Sequence, residues 1–376
     1  MTTAGEESEL LRSAVRDALR QLSTSEDVRR AMATARGYED RTWQRLSREL
    51  GLPGLTIAEE HGGAGLTEAE LGIAVEEAGA SLLCAPLFAT AGLALPLLKA
   101  LDDEQAMARY APRIAAGELT ATVALAEDPG RWQPAAVTTT ASQDEDGWLL
   151  NGVKNYVVDG ATAGLILVVA KDGAGELGVF ALDQNAPGLA IEQLVTLDQT
   201  RKQARLTLSD VRAQRVGAAD ATAAIARATA VSRALLAAEQ AGGAQRCLDM
   251  TVEYAKARIQ FGRAIGSFQA VKQRLAEMLI LTESAKSAAY AALATTTDST
   301  AANTEDLGHV AAVAALTAGE AYEYVAAQTV QLHGGIGFTW EHDAHLYFKR
   351  ARASAILLGT ASELTDLIGS QLAAII

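Results

Sequence analysis

The sequence predicts an α+β multidomain protein: an N-terminal helical domain over residues 1–118, a middle β-barrel or sandwich domain over 119–217, and a C-terminal four-helix bundle over 218–376. Three observations predict it. Before Gly117 apolar residues recur at three- and four-residue spacing. Near Leu119 the texture changes to short β-rich runs separated by Gly, Asp, Asn and Pro. From about Ala218 the chain returns to long alanine-rich helical stretches. At 376 residues the chain is too long for one ordinary core, and length alone favours two or three domains.

The elements follow in order. ELLRSAVRDALRQL and DRTWQRLSREL keep an amphipathic helical period. A loop over Glu59 to Glu70 follows, in which Thr67 with Glu70 three residues on is a capping box that opens the next helix, LGIAVEEAGASL. FATAGLALPLLKAL reads as another helix. TATVAL, GWLLNG, LILVVA, LGVFAL and LAIEQL read as strands, and five or more strands in about a hundred residues indicate a compact all-β domain. Helices are expected over Ala221 to Ala257 and Phe268 to Thr295, then a polar loop over Thr295 to Asp306. A third long helix ends at HGGIG, and a final one follows Thr360.

Hydrophobic content of 49% with 21% charged residues is that of a globular protein. A net charge of −14 and a pI near 4.9 argue against nucleic acid and anionic membranes as partners. Local basic groups could still hold an anionic small molecule. No run of eighteen apolar residues appears and the N-terminus lacks a signal pattern, so a cytoplasmic protein is expected. Cys84 and Cys247 both lie in apolar contexts that read as helical, where buried free thiols are expected. No spacing suited to zinc or iron is present. His61 reads as a loop residue, while His342 and His345 read as packing groups beside Asp343.

Two segments carry the chemistry, RIQFGRAIGSFQ (Arg258 to Gln269) and QLHGGIGF (Gln331 to Phe338). Each breaks a helical stretch with glycines, which cost about 1 kcal/mol relative to alanine inside a helix. Repeated use of glycine there points to close backbone approach to something. With Arg258 and Gln269 beside the openings, a diphosphate-bearing cofactor is the ligand such groups suit.

The helix–β–helix order and these motifs resemble the acyl-CoA dehydrogenase family over nearly the whole chain. LDMTVEYAKARIQFGRAIGSFQAVKQRLAEM follows the family pattern almost position for position, as does QLHGGIGF with the EHDAHLYFKRA that comes after it. In the middle domain DGWLLNGVKNYVVDGATAGLILVVA and LTLSDVRAQRVG are similar to the family's flavin-side and domain-closing segments. The resemblance implies α,β-desaturation of an acyl-CoA thioester. A glutamate takes the α proton and FAD accepts the β hydride.

This chain departs from the family where that glutamate should stand. The family's Tyr-Glu-Gly-Thr reads Leu357-Leu358-Gly359-Thr360 here. At the alternative position, just ahead of an arginine, stands Ser232 before Arg233, a poor base with no histidine nearby in sequence. Arg233 matches a family arginine near the substrate and reads here as a structural or electrostatic group. Glu239 is the rival base, two helical turns and about 10 Å beyond Ser232; a packing or hydrogen-bonding role suits it better. The flavin-ring loop reads Ala126-Glu127-Asp128-Pro129-Gly130-Arg131-Trp132, without the family's Thr and Gly-Ser-Asp. Tyr156-Val157-Val158 replaces Trp-Ile-Thr, so ring-contacting hydroxyls are missing.

What survives, as the resemblance implies, is the half of the site that meets the adenine and diphosphate of FAD across a subunit interface: Arg258, Gln260, Phe261, Phe268, Gln269, Gln331, Gly334 and Gly335. The expectation is therefore a non-catalytic subunit of an α2β2 acyl-CoA dehydrogenase, sharing FAD with a homologous partner that brings the glutamate. Some actinobacterial members resembling this chain form such assemblies and oxidise CoA thioesters of steroid side chains. Electron-transfer flavoprotein is the acceptor the family implies. Two alternatives stay open here: a self-sufficient homotetramer using Glu239, and a non-enzymatic scaffold that binds CoA ester or FAD.

Overall fold

The computed structural model describes residues 3–297 and 301–375. Its contacts divide the chain into two compact units. One takes the chain up to Arg29, Glu68–Leu83 and everything from Arg233 onward; the other takes Arg30–Thr67 and Cys84–Ser232. The helices that precede Leu119 are thus divided between the two. The observed classes of structure are those expected: helices, then a sheet, then a helical bundle.

The sheet unit opens with the end of α2 (Ser25–Met32), α3 (Asp40–Gln44) and a π-helical turn that prolongs α3 over Arg45–Glu49. A π-helical stretch at Phe88–Ala94 runs into α5 (Leu95–Ala100), and α6 (Glu104–Ala115) follows, its Asp103 cap accepting from the Ala106 amide. Seven strands come next: β1 (Ala121–Ala124), β2 (Thr140–Asp144), β3 (Gly147–Val158), β4 (Leu165–Lys171), β5 (Leu177–Asp183), β6 (Leu189–Gln193) and β7 (Gln203–Val216). Pairing runs β4–β2–β3–β7–β5 and back to β4, so the sheet closes on itself as a barrel. β1 adds to β4 in parallel, and β6 adds to β7. Closure removes free strand edges. Leu150, Ile166, Val168, Phe180, Leu206 and Val211 fill the interior.

β2 escaped the sequence reading. TASQD shows a single buried residue, Ala141, so there is no apolar run to detect. β7 was legible only through the resemblance of LTLSDVRAQRVG to a domain-closing segment, and in the structure its burial alternates over most of its length.

The helical unit holds α1 (Thr3–Leu22), α4 (Glu68–Ala80) and the bundle of α7 (Thr222–Ala257, most of its length), α8 (Gln269–Ala294), α9 (Ala301–His333), α10 (Ala344–Ser354) and α11 (Ala361–Ile375). Two expectations are corrected. Residues 298–300 of the polar loop lie outside the described residues, but α9 begins at Ala301, so Ala301–Asp306 is helical. Polarity had outweighed the high helix propensity of Ala301 and Ala302. Cys84 follows α4 in an irregular stretch, not a helix, although both thiols are buried. Burial pushes the Cys247 thiol up to about 12.

α4 and α7 pack with their backbones in contact. A Cβ added at Gly79 would lie 2.0 Å from the Glu239 carbonyl oxygen, and one at Gly242 would lie 1.9 Å from that of Glu76. Only glycine permits this approach. Beside the crossing, Glu76 accepts from Arg12 (2.8 Å) and Tyr290 (2.5 Å), while Glu77 accepts from Arg12 and Arg16. Gly242→Ala is expected to destabilise the chain by about 1–3 kcal/mol through overpacking. Gly369→Ala, in α11 where an added Cβ meets nothing, should stabilise by about 0.5–1 kcal/mol. Urea midpoints of the two variants check both signs.

Candidate functional site

The segment after α7 folds as a small hairpin, β8 (Ile259–Gln260) paired with β9 (Arg263–Ala264). Its two-residue turn is Phe261-Gly262, with φ of +52° and +78°. Positive φ at both positions is the geometry that matches strand twist in tight hairpins. Glycine adopts it freely, but a phenylalanine there is strained, and such strain persists at functional positions. Phe261 is 91% exposed, so it is not a core aromatic. Its ring meets Phe268 edge-on at 6.1 Å, and the Arg263 guanidinium lies 4.1 Å over Phe268. Among the described residues no side chain pairs with the Arg258 guanidinium or the amides of Gln260, Gln269 and Gln331.

α9 stops at His333 because Gly334 takes φ of +64°, the usual left-handed helix ending. A Cβ at Gly334 or Gly335 would meet nothing within 4 Å, so the backbone there is open to a ligand. The first nine residues of α8, from Gln269 on, bury no side chain in this chain. Arg258, Gln260, Phe261 and Gln269, with Gly334 and Gly335, are thus surface groups with free donors or open backbone. They fit a phosphate-bearing, aromatic ligand.

The His333 ring is buried. Its Nδ1 lies 2.7 Å from the Thr329 carbonyl, and it stacks on Tyr254 with centroids 4.4 Å apart. Tyr254 also donates to the His333 carbonyl at 3.3 Å. Neither contact had a sequence signal, since 79 positions separate these two residues.

The base positions are also clear. Leu358 is buried with φ of +66°, and its carbonyl accepts from Arg233 Nε at 2.9 Å. Burial pulls the Arg233 guanidinium down to about 10, with Glu363 opposing. Glu363 itself caps α11 in a reciprocal pair with Thr360. Glu239 is buried and takes the Arg350 guanidinium at 2.9 Å. This pair suits the packing or hydrogen-bonding role expected of Glu239. Ser232 is buried.

In the sheet unit, Ala126 and Val158 are buried and apolar, so the ring-side loop offers no hydroxyl there. What holds this loop is a cluster the sequence reading missed. Glu127 accepts from Lys154 Nζ (2.6 Å), the Thr139 amide and hydroxyl (2.9 and 2.6 Å), and the amide (2.8 Å) and hydroxyl of Thr138. Lys154 is fully buried and donates further to the Leu125 carbonyl. Tyr156 follows at a bulge in β3, with φ of +57° and its ring over Gly130. A lysine inside a β-rich run was the one available signal.

Burial alone would raise the Glu127 carboxyl, but Lys154 and the two threonines hold it down to about 2. Burial pulls Lys154 down to about 8 against the pull of Glu127. The carboxylate is the better satisfied member, having five donors. Its depressed value means stability present above about 4.5 and lost as pH falls toward 2. Glu127→Gln should remove that part of the acid sensitivity. It should also destabilise at pH 7 by about 3–5 kcal/mol, because Lys154 would be left buried and unpaired. Urea titrations at pH 7 and pH 4 measure both effects.

Family models match the chain in three parts: the acyl-CoA dehydrogenase N-terminal domain over residues 5–118, the middle domain over 122–211 and the C-terminal domain over 221–373. The chain is 37% identical to acyl-CoA dehydrogenase IpdE2 of Mycobacterium tuberculosis, covering 98% of both chains. It is 30% identical to the human mitochondrial short-chain specific acyl-CoA dehydrogenase, covering 85% of this chain and 79% of that one. Among solved structures it superposes on the Tcur3481–Tcur3483 steroid ACAD with a TM-score of 0.90 at 33% identity, covering 99% of each chain. The ChsE4–ChsE5 complex from Mycobacterium tuberculosis gives 0.89 at 27% identity, covering 99% of this chain and 98% of that one.

Proposed function

The chain belongs to the acyl-CoA dehydrogenase family, and from that premise we propose that it is the non-catalytic subunit of a heteromeric, FAD-dependent acyl-CoA dehydrogenase. The observation that carries this reading is Leu358 in the place of the base, with Glu239 held by Arg350 and Ser232 neutral. No proton can be taken by leucine, and Glu239 is already committed to an ion pair. A homologous partner would bring the glutamate and the ring contacts, in an α2β2 assembly.

FAD, when bound, supplies the hydride acceptor for the β hydrogen. Arg258 would pair with its diphosphate, and Phe261 with Phe268 would flank its adenine. Gln260, Gln269, Gln331, Gly334 and Gly335 would complete the polar contacts. The residues at Ala126 and Val158 do not fit the ring end, because polar ring edges would be buried there without donors. This mismatch supports a site completed by another chain. So does the start of α8, which buries nothing in its own chain, together with exposed Leu279 and Ile280 further along.

One solved relative, named a steroid ACAD, supports a CoA thioester of a steroid side chain as the substrate class. Electron-transfer flavoprotein is the proposed acceptor, and the cytoplasm the proposed compartment. The domain boundaries 1–118, 119–217 and 218–376 are part of the same proposal.

Purifying the chain alone and co-expressed with its neighbouring family member tests the reading by flavin absorbance per chain and dye reduction with an acyl-CoA. One flavin per two chains, with turnover only in the complex, is expected. Full flavin and turnover by the chain alone would overturn it, and binding without turnover in both would favour a scaffold. Arg258→Ala should weaken flavin retention in the complex by about ten- to a hundredfold, the worth of a charge-assisted hydrogen bond. Ser232→Ala should leave the rate unchanged, and a hundredfold loss would place chemistry on this chain.

A further inference from the structure

Three imidazoles gather around the turn that follows Gly334 and Gly335, and the reading so far uses none of them. His333, at the end of α9, lies with its ring 4.3 Å from that of His342 and 4.4 Å from that of Tyr254. His345, in the first turn of α10, packs its ring against the Trp340 indole at 4.7 Å. His333 and His345 are both buried, and Nε2 of each has no hydrogen-bond partner among the described residues. His342 Nδ1 accepts from the Ala344 amide at 3.1 Å, which requires that nitrogen to be unprotonated.

The surroundings suit only neutral rings. The Thr329 carbonyl takes one nitrogen of His333, and the end of α9 favours positive charge. Protonation would nevertheless leave an N–H on Nε2 buried with no acceptor, against His342. The charged groups facing the cluster are Arg246 from α7, Arg29 from α2, and Lys349 from α10, with Asp343 as the opposing carboxylate. Asp343 already takes Arg29 at 2.6 Å and the Ser25 hydroxyl at 2.7 Å. Each proton added would join a local excess of cations. Burial lowers all three imidazoles below the ordinary value of 6.5.

We propose that His333, His342 and His345 form an acid-sensitive latch that holds the turn from Gly334 to Asp343 closed while neutral and releases it when protonated. The released turn carries Gly334 and Gly335 and is continuous with Gln331, so its opening would discharge the flavin contacts. Phe338 and Trp340, 78% and 59% exposed, sit on the same turn and would move with it. Only the effect on flavin rests on the function proposed above; the latch itself does not. The sign follows from linkage. The open form binds protons near pH 6.5 and the closed form only below it, so closure is favoured at and above neutrality and lost as pH falls.

The test is hydrogen exchange of the segment 334–343 in the co-expressed complex at pH 7.5 and 5.5, each corrected for intrinsic rates, with flavin release followed in parallel. Protection should fall by about tenfold for each imidazole that titrates, the ratio a site of ordinary value gives over that interval. His333→Asn keeps a donor for the Thr329 carbonyl but cannot be protonated, and His345→Phe keeps a ring against Trp340. Each variant should lose part of the pH response. Unchanged wild-type protection would overturn the latch, whether or not flavin is lost. Protection that falls while flavin stays bound would uphold the latch and remove the turn from the cofactor site.

Discussion

The backbone contact between α4 and α7 sets the terms for the helical unit. Gly79 and Gly242 let each helix press on a carbonyl of the other, and those carbonyls belong to Glu239 and Glu76. The acidic side chains at the crossing are bound on both flanks. Glu76 and Glu77 take Arg12, Arg16 and Tyr290, with Lys286 at 3.4 Å, and Glu239 takes Arg350. Helices this close leave no room for a mobile carboxylate. Glu239 is therefore fixed by the packing as well as by its ion pair with Arg350.

The proposed division of the cofactor site rests on where these groups lie. Arg258, Gln260 and Gln269 are exposed and without side-chain partners among the described residues, whereas Ala126 and Val158 are buried with apolar side chains. Strain at Phe261 is retained at an exposed turn, where nothing in the chain's own core explains it. In the sheet unit the Glu127–Lys154 pair still holds the ring-side loop.

The long alanine-rich helices α7 and α8 and the unbroken apolar strands β4 and β5 were legible, because local composition decides them. β2 was not, having one buried residue. Nor was the start of α9, where a polar stretch hides two alanines. The candidate flavin residues were found through a resemblance of motif. The hydrogen bonds of Glu127 and the ring contacts of His333 lie in those same segments but depend on neighbours distant in the chain, Lys154 and Tyr254 among them.

By itself the sequence determined the family register, the glycines where a backbone must open, and the absence of a glutamate at Leu358 and Ser232. Residue identity suffices there, since leucine cannot accept a proton whatever surrounds it. Only the tertiary structure decided that Glu239 is spent on Arg350, 111 positions away, and that Lys154 lies fully buried beneath Glu127. It also decided that the imidazoles of His333 and His345 each bury a nitrogen without a partner. Whether a titratable group is free, paired or starved of partners depends on burial and on long-range neighbours, and these exist only once the chain has folded.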